Sequence, residues 1–160
     1  MRSPDGTSRP FPRLRARDLN GRDLFIPDEL DGDPSVVIVA FHRWHQRLVD
    51  TWLAWLEPLG RTHPGLRVYE VPTLASWWAP VRRFIDGGMA AAIRAREIRE
   101  RTLTVYSNVR RVTRALGLED TRTIAVIVVD RDGRLRWVGL GGFERGTATE
   151  LERALANPSG

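Results

Sequence analysis

Hydrophobic residues in this chain occur in short β-branched runs, and segments with helical spacing separate these runs. Val36–Phe41 and Ile124–Val129 contain no polar position, which is typical of strands covered on both faces of a sheet. Leu66–Val71 and Leu103–Tyr106 are predicted as two further short strands. Four strands are therefore predicted, and Asp132-Gly133 adds a hairpin turn into a fifth, over 134–140.

Between these strands the apolar positions recur every three or four residues, which predicts helices. His45–Leu59 has such a stripe and is predicted to end at Pro58 and Gly60. Asn108 is predicted to cap a helix that stops at Gly117. Two further helical segments lie at 77–101, where Gly87-Gly88 interrupts the pattern, and at 144–156.

The order β-α-β-α-β-α-β-β-α predicts an α/β fold, a three-layer sandwich with a mixed central sheet and helices on both faces. Parallel strands are expected in the early crossovers and an antiparallel edge at the late hairpin. Residues 11–156 form the single predicted domain, and 11–35 are expected to be irregular and partly extended. A disordered lead-in over 1–10 and a frayed tail over 157–160 flank it.

Composition limits the classes of protein that the chain can belong to. Its 160 residues are 42% hydrophobic and 28% charged, which is globular composition. All 25 basic residues are arginine, which explains a pI near 11.0 at a net charge of only +5. Acidic residues are interspersed with the arginines, so no nucleic-acid partner is expected. No apolar run is long enough for a membrane span or a secretory signal, which predicts a cytoplasmic protein.

The chain contains no cysteine. Disulfides, thiol nucleophiles, thiolate zinc sites and dithiol redox chemistry are therefore excluded. No phosphate-binding glycine loop or nucleotide motif is present, and the sequence predicts no cofactor.

Three stretches resemble the thioredoxin-like superfamily, in its alkyl-hydroperoxide-reductase and thiol-specific-antioxidant branch. Phe11–Gly32 resembles the N-terminal extension of that branch, and Val36–Leu59 resembles its first core strand and active-site helix. Ile124–Trp137, with Asp130-Arg131-Asp132-Gly133, resembles its hairpin. The resemblance implies a thioredoxin-like sandwich. Trp55-Leu56-Glu57-Pro58-Leu59 and Leu135-Arg136-Trp137 also resemble mitochondrial assembly factors of the ATP synthase that share this fold.

The resemblance fails at the residues that carry thiol chemistry in these families. Gln46-Arg47-Leu48-Val49 occupies the place of the cysteine pair, and Asp50 is nearest to the place of the peroxidatic cysteine. The cis-proline of most members would fall near Ile124, where a trans bond is expected. Thiol peroxidase and disulfide-exchange activities are therefore excluded.

Other side chains at the former active-site mouth remain candidates. His42 and His45 are candidate catalytic residues, because imidazole exchanges protons near pH 7. The candidate ligand-binding residues are Arg43, Trp44, Gln46, Glu70, Trp77 and Arg122. Arginine would orient an anion, and tryptophan would contact an apolar or planar group. The alternative is a polar loop whose histidines satisfy backbone groups or face solvent. No metal is predicted, since no third ligand has motif spacing.

Three functions fit this sequence. The first is a redox-inactive thioredoxin-like protein that binds an unknown protein partner or a small apolar or anionic ligand at the mouth. The second is a cofactor-free isomerase or cyclase on an apolar acyl substrate, with His42 or His45 as general acid/base. The third is a structural relic in a larger assembly. A homo-oligomer is possible, and arginines at 82–83 and 94–101 are a second candidate partner surface or a solvated helix face.

Overall fold

The computed structural model describes residues 9–74 and 98–156. Seven strands form one mixed sheet in the order β2-β1-β5-β4-β3-β6-β7. Their bounds are β1 Leu14–Asp18, β2 Asp23–Ile26, β3 Ser35–Ala40, β4 Arg67–Leu74, β5 Leu103–Tyr106, β6 Ala125–Val129 and β7 Leu135–Leu140. Strand β4 is longer than predicted, because Pro72 continues it opposite Ala40.

Strand β3 is an interior strand that lies between β4 and β6. It pairs with β4 in parallel, with Val37 opposite Tyr69, and with β6 in antiparallel register, with Val37 opposite Ile127. The prediction that the two longest apolar runs are neighbouring interior strands is confirmed. The antiparallel arrangement begins one strand earlier than expected, since β6 already runs against β3.

Helices cover both faces of this sheet, as predicted. They are α1 Gln46–Thr62, α2 Val109–Leu116 and α3 Arg145–Ala156, and residues 98–101 are also helical. Trp52 of α1 and Leu151 of α3 pack on one face, in a cluster with Ile38. Leu116 of α2 packs on the other face, in a cluster with Val37.

Helix α1 does not end at Pro58, as the sequence had predicted, but continues to Thr62. Two side chains contact the Leu59 carbonyl near the end of this helix, since the Thr62 hydroxyl donates to it at 3.0 Å and the His63 ring lies 3.1 Å from the same oxygen. Helix α2 begins and ends as predicted. The Asn108 side chain accepts from the Arg110 amide at its first turn, and Gly117 ends it with φ of 73°.

The segment predicted to be irregular contains a hairpin. Strands β1 and β2 pair in antiparallel register around a turn at Asp18, Asn20 and Gly21. Alternate β1 side chains are buried, so the strand has a core face and a polar face. Residues 1–8 of the predicted lead-in, residues 77–97 of the segment predicted to be helical and the predicted tail lie outside the described residues. No helix among residues 9–74 and 98–156 is long and apolar enough to cross a membrane.

Candidate functional site

Three loops meet at one end of the central strands. Val39 pairs with Ala125, and Ala125 pairs with Leu140, so the end of β3, the start of β6 and the end of β7 lie side by side. Residues 41–46 follow β3, residues 120–124 precede β6, and residues 141–143 follow β7. These three loops are called the mouth below, and they include the loop in which the sequence placed its candidate histidines.

His45 lies inside the mouth and is fully buried. Its Nδ1 accepts a hydrogen bond from the Phe41 amide at 3.0 Å. Because Nδ1 is an acceptor, the proton of the neutral ring is on Nε2, which donates to the Arg122 carbonyl at 3.2 Å. Both ring nitrogens are thus occupied by backbone groups. His45 joins the first two mouth loops, and no ring nitrogen is left to transfer a proton to a ligand.

The surroundings of His45 favour its neutral form. Burial lowers the pKa of His45 below its ordinary value of 6.5, and the neighbouring His42 lowers it further, while the hydrogen bond to the Arg122 carbonyl acts in the opposite direction. The two rings are 4.9 Å apart. Protonating Nδ1 would also break its bond with the Phe41 amide, so a charged His45 does not fit this loop.

The free energy of unfolding is expected to decrease as the pH falls below 6.5. Above this pH, His45 is neutral in both the folded and the unfolded state, and its stabilisation is complete. Below it, the unfolded chain takes up a proton first, because the pKa of His45 is lowered on folding. Denaturant unfolding of the wild type and His45→Asn at pH 7.5 and 5.5 isolates this contribution. The stability lost in the variant should be greater at pH 7.5, and an equal loss at both values would contradict the assignment.

His42 and Trp44 form the outer layer of the same loop. The His42 side chain is exposed, its Nε2 lies 3.3 Å from the Thr121 hydroxyl, and its ring is parallel to the Trp44 indole within 7°. Trp44 is 51% exposed and stands edge-on over His45, with the ring centroids 4.3 Å apart. Of the two candidate histidines, His42 alone presents its ring to solvent. Arg43 is also exposed, between them.

Gln46 and Glu70 meet at the first turn of α1. The Gln46 amide donates to Glu70 at 3.0 Å and to Asp50 at 2.8 Å. Glu70 is nearly buried, and its second oxygen accepts from the Thr102 hydroxyl at 3.3 Å. These two candidate ligand-binding residues therefore lie together, in a network that joins α1 to β4 and to Thr102, the residue before β5.

Arg122 lies in the second mouth loop, as the sequence placed it. Its amide donates to Asp120 at 2.9 Å, and its guanidinium lies 3.5 Å from the same carboxylate. The side chain is exposed, whereas its carbonyl is the partner of His45. Trp77 lies outside the described residues, as do Trp78 and the arginines at 82–83 and 94–96.

The third mouth loop contains none of the candidate residues predicted from the sequence. Trp52 is buried, and its indole donates to the Gly141 carbonyl at 2.9 Å. The Phe143 ring packs against Trp52 and Trp55 at 5.5 and 5.7 Å, and its amide donates to the Thr51 hydroxyl at 3.0 Å. The sequence signal for this loop is a glycine turn followed by an aromatic residue, Gly141-Gly142-Phe143.

The mouth is therefore a surface of loops held by hydrogen bonds, with apolar side chains exposed to solvent. Among the described residues, Trp44, Leu140 and Phe143 are large hydrophobic side chains in or beside the three mouth loops and are 51%, 49% and 36% exposed. Tyr106 is 46% exposed and ends β5 at the same end of the sheet, two strands from β3. Residues 9–74 and 98–156 contain no group of three His, Cys, Asp or Glu side chains placed to hold a metal ion. The cis peptide bonds among the described residues precede Pro27 and Pro34, so the bond before Ile124 is trans, as expected.

A family model described as "ATP10 protein" matches residues 4–157 of the chain. This range includes every described element and all three mouth loops. No match was found among curated proteins.

Solved structures share the fold at low sequence identity. A thiol:disulfide interchange protein from Bacteroides sp. is 17% identical, with a TM-score of 0.54 over 94% of this chain and 91% of that one. The thioredoxin domain of a thiol-disulfide oxidoreductase from Bacteroides vulgatus is 19% identical, with a TM-score of 0.50 over 92% and 97%. BsSco, of the Sco family of cytochrome c oxidase assembly proteins, is 8% identical, with a TM-score of 0.58 over 99% of both chains. The thioredoxin-like sandwich implied by the sequence is thus confirmed.

Proposed function

Because the chain belongs to the ATP10 protein family, we propose that it is an assembly factor that binds an ATP synthase subunit at its mouth without thiol chemistry. The absence of cysteine supports the second half of this proposal. Neighbours of the same fold are thiol:disulfide proteins, and their chemistry requires a sulfur nucleophile. This chain has the same fold and lacks the nucleophile, which favours binding over thiol chemistry at the mouth.

The exposed apolar surface of the mouth is the observation that carries the proposal. Trp44, Leu140 and Phe143 come from two different loops and the end of a strand, and all three lie at one end of the sheet. Exposed apolar surface of this kind is typical of protein-binding sites, and aromatic side chains contribute most to the affinity of such interfaces. An apolar segment that an ATP synthase subunit buries only after assembly is the partner that this surface fits.

The hydrogen bonds beneath the exposed surface support binding, because they hold the loops that carry the exposed rings in place. His45 joins the first and second loops. Trp52 and the Thr51 hydroxyl join α1 to the third loop. A surface fixed before binding loses less conformational entropy when the complex forms.

The alternative of a cofactor-free isomerase or cyclase stays a prediction. His42 is the residue that would transfer the proton in it, since both nitrogens of His45 bond to the backbone. Two cavities of about 420 and 330 Å³ lie among the described residues, and they are lined by residues of α2 and of the β6–β7 hairpin rather than by His42. Binding of a small ligand at the mouth and formation of a homo-oligomer also stay predictions.

Removing the exposed mouth rings is expected to weaken partner binding at least tenfold. The variant is Trp44→Ala/Phe143→Ala, because each truncation removes aromatic contact area from the centre of the interface. Purified chain is titrated against individually purified ATP synthase subunits. Phe25→Ala is the control, since this ring is 44% exposed on β2, which is the far edge strand of the sheet, four strands away from β3. Equal weakening in both variants, or saturable binding to none of the subunits, would contradict the proposal.

A further inference from the structure

Three arginines form a stripe along α2. Arg110 and Arg114 are one helical turn apart, and Arg111 is three residues before Arg114. The three side chains therefore project from neighbouring positions on the helix surface. All three are exposed. They line a cavity of about 420 Å³ together with Asn108 and Ala115, and this cavity is called the α2 groove below. It lies on the sheet face opposite α1.

Within the described part of the chain, these guanidinium groups have no carboxylate partner. Other arginines do pair: Arg15 and Arg17 share Asp23, whose pKa they lower to about 2, and Arg136 pairs with Asp130 at 2.6 Å. Like charges one turn apart destabilise a helix. An anion held between them would remove this repulsion.

We propose that the α2 groove binds a phosphate or diphosphate group. A guanidinium presents a planar fork of N–H donors that matches the oxygens of a phosphate in two parallel hydrogen bonds. Three such groups around one concave site match the charge and the several oxygens of a diphosphate. A cavity of this volume is also within the range of small-ligand sites. The proposal goes beyond partner binding at the mouth and shares no residue with it.

Pyrophosphate titration of the full chain tests this site. Wild type is expected to bind one pyrophosphate in a saturable manner that weakens with salt. Arg110→Gln/Arg114→Gln should weaken it at least tenfold, because two charge-assisted contacts are lost. The matched control is Arg145→Gln/Arg153→Gln, which removes the same charge from exposed positions on α3. All four positions are at the surface, so circular dichroism is expected to show unchanged folding.

Comparison of the two double variants distinguishes a specific anion site from nonspecific electrostatic attraction. Equal loss of affinity in the two double variants, or no saturable binding to wild type, would overturn the proposal. Vesicles of phosphatidylcholine with and without phosphatidate distinguish the source of the phosphate. Phosphatidate-dependent sedimentation that the α2 variant loses and that pyrophosphate competes away would identify a lipid headgroup. Binding of pyrophosphate without sedimentation would identify a free phosphate compound.

Discussion

Replacing His45 with alanine is expected to lower the free energy of unfolding by about 3 kcal/mol. The change leaves the buried Phe41 amide and the partly buried Arg122 carbonyl without their partner, and an unsatisfied buried group costs about 1–3 kcal/mol. The space of the imidazole adds a cavity beneath Trp44. Denaturant unfolding followed by circular dichroism measures the loss.

The control for this change is the neighbouring histidine. His42→Ala removes an exposed ring with one contact of 3.3 Å, and it is expected to change stability by less than about 1 kcal/mol. His45→Asn should be intermediate, since an amide oxygen replaces Nδ1 as acceptor for Phe41 without reaching Arg122. Similar losses for His42→Ala and His45→Ala would show that His45 does not hold the loops together.

Replacing Asp130 with alanine is expected to cost about 3–4 kcal/mol. One carboxylate oxygen accepts from the Asp132 amide at 2.9 Å and from the Arg134 amide at 3.0 Å, and the other accepts from Arg136 at 2.6 Å. Asp130 and its partner Arg136 are largely buried. Removing one member of a buried ion pair leaves an uncompensated charge, and this is the larger part of the expected loss.

The β1–β2 hairpin supplies the matched comparison for Asp130. Asp18 is equally buried and accepts from the Asn20 and Arg22 amides, both at 2.9 Å, in a turn of the same spacing. No ion pair of Asp18 occurs among the described residues. Asp18→Ala is therefore expected to cost only about 1–2 kcal/mol. Equal losses for the two variants would show that the Arg136 pair contributes nothing to stability.

Helix α2 and the β6–β7 hairpin could be predicted because their signals are local. Asn108 and Gly117 mark the ends of α2, and both cap it as expected. Asp130 and Gly133 mark a turn whose hydrogen bonds close within five residues. Neither element depends on a distant part of the chain for its boundaries.

The β1–β2 hairpin was missed although its signal was equally local. Asp18-Leu19-Asn20-Gly21-Arg22 has the same spacing as Asp130-Arg131-Asp132-Gly133-Arg134, and both glycines have positive φ, 84° and 79°. The strand before it alternates apolar residues with arginine, which gives a half-exposed strand rather than a run of apolar residues. Comparing the two turns would have identified the hairpin from sequence.

The burial of His45 could not be read from the sequence, because its partners are set by the fold. The Arg122 carbonyl is 77 residues away and reaches the ring only through the pairing of β3 with β6. His42 and His45 therefore looked equivalent, three residues apart beside Trp44. The position of Phe143 over α1 depends in the same way on β7 lying beside β6.

Site-specific photo-crosslinking tests the proposed function most directly. A benzoyl-phenylalanine is incorporated in place of Phe143, at the mouth, or in place of Phe25, an exposed phenylalanine in the N-terminal hairpin. The two probes replace the same residue type, so they differ in position alone. The proposal predicts an ATP synthase subunit crosslinked from position 143 and not from position 25. A crosslink from position 25 alone, or from neither position, would contradict it.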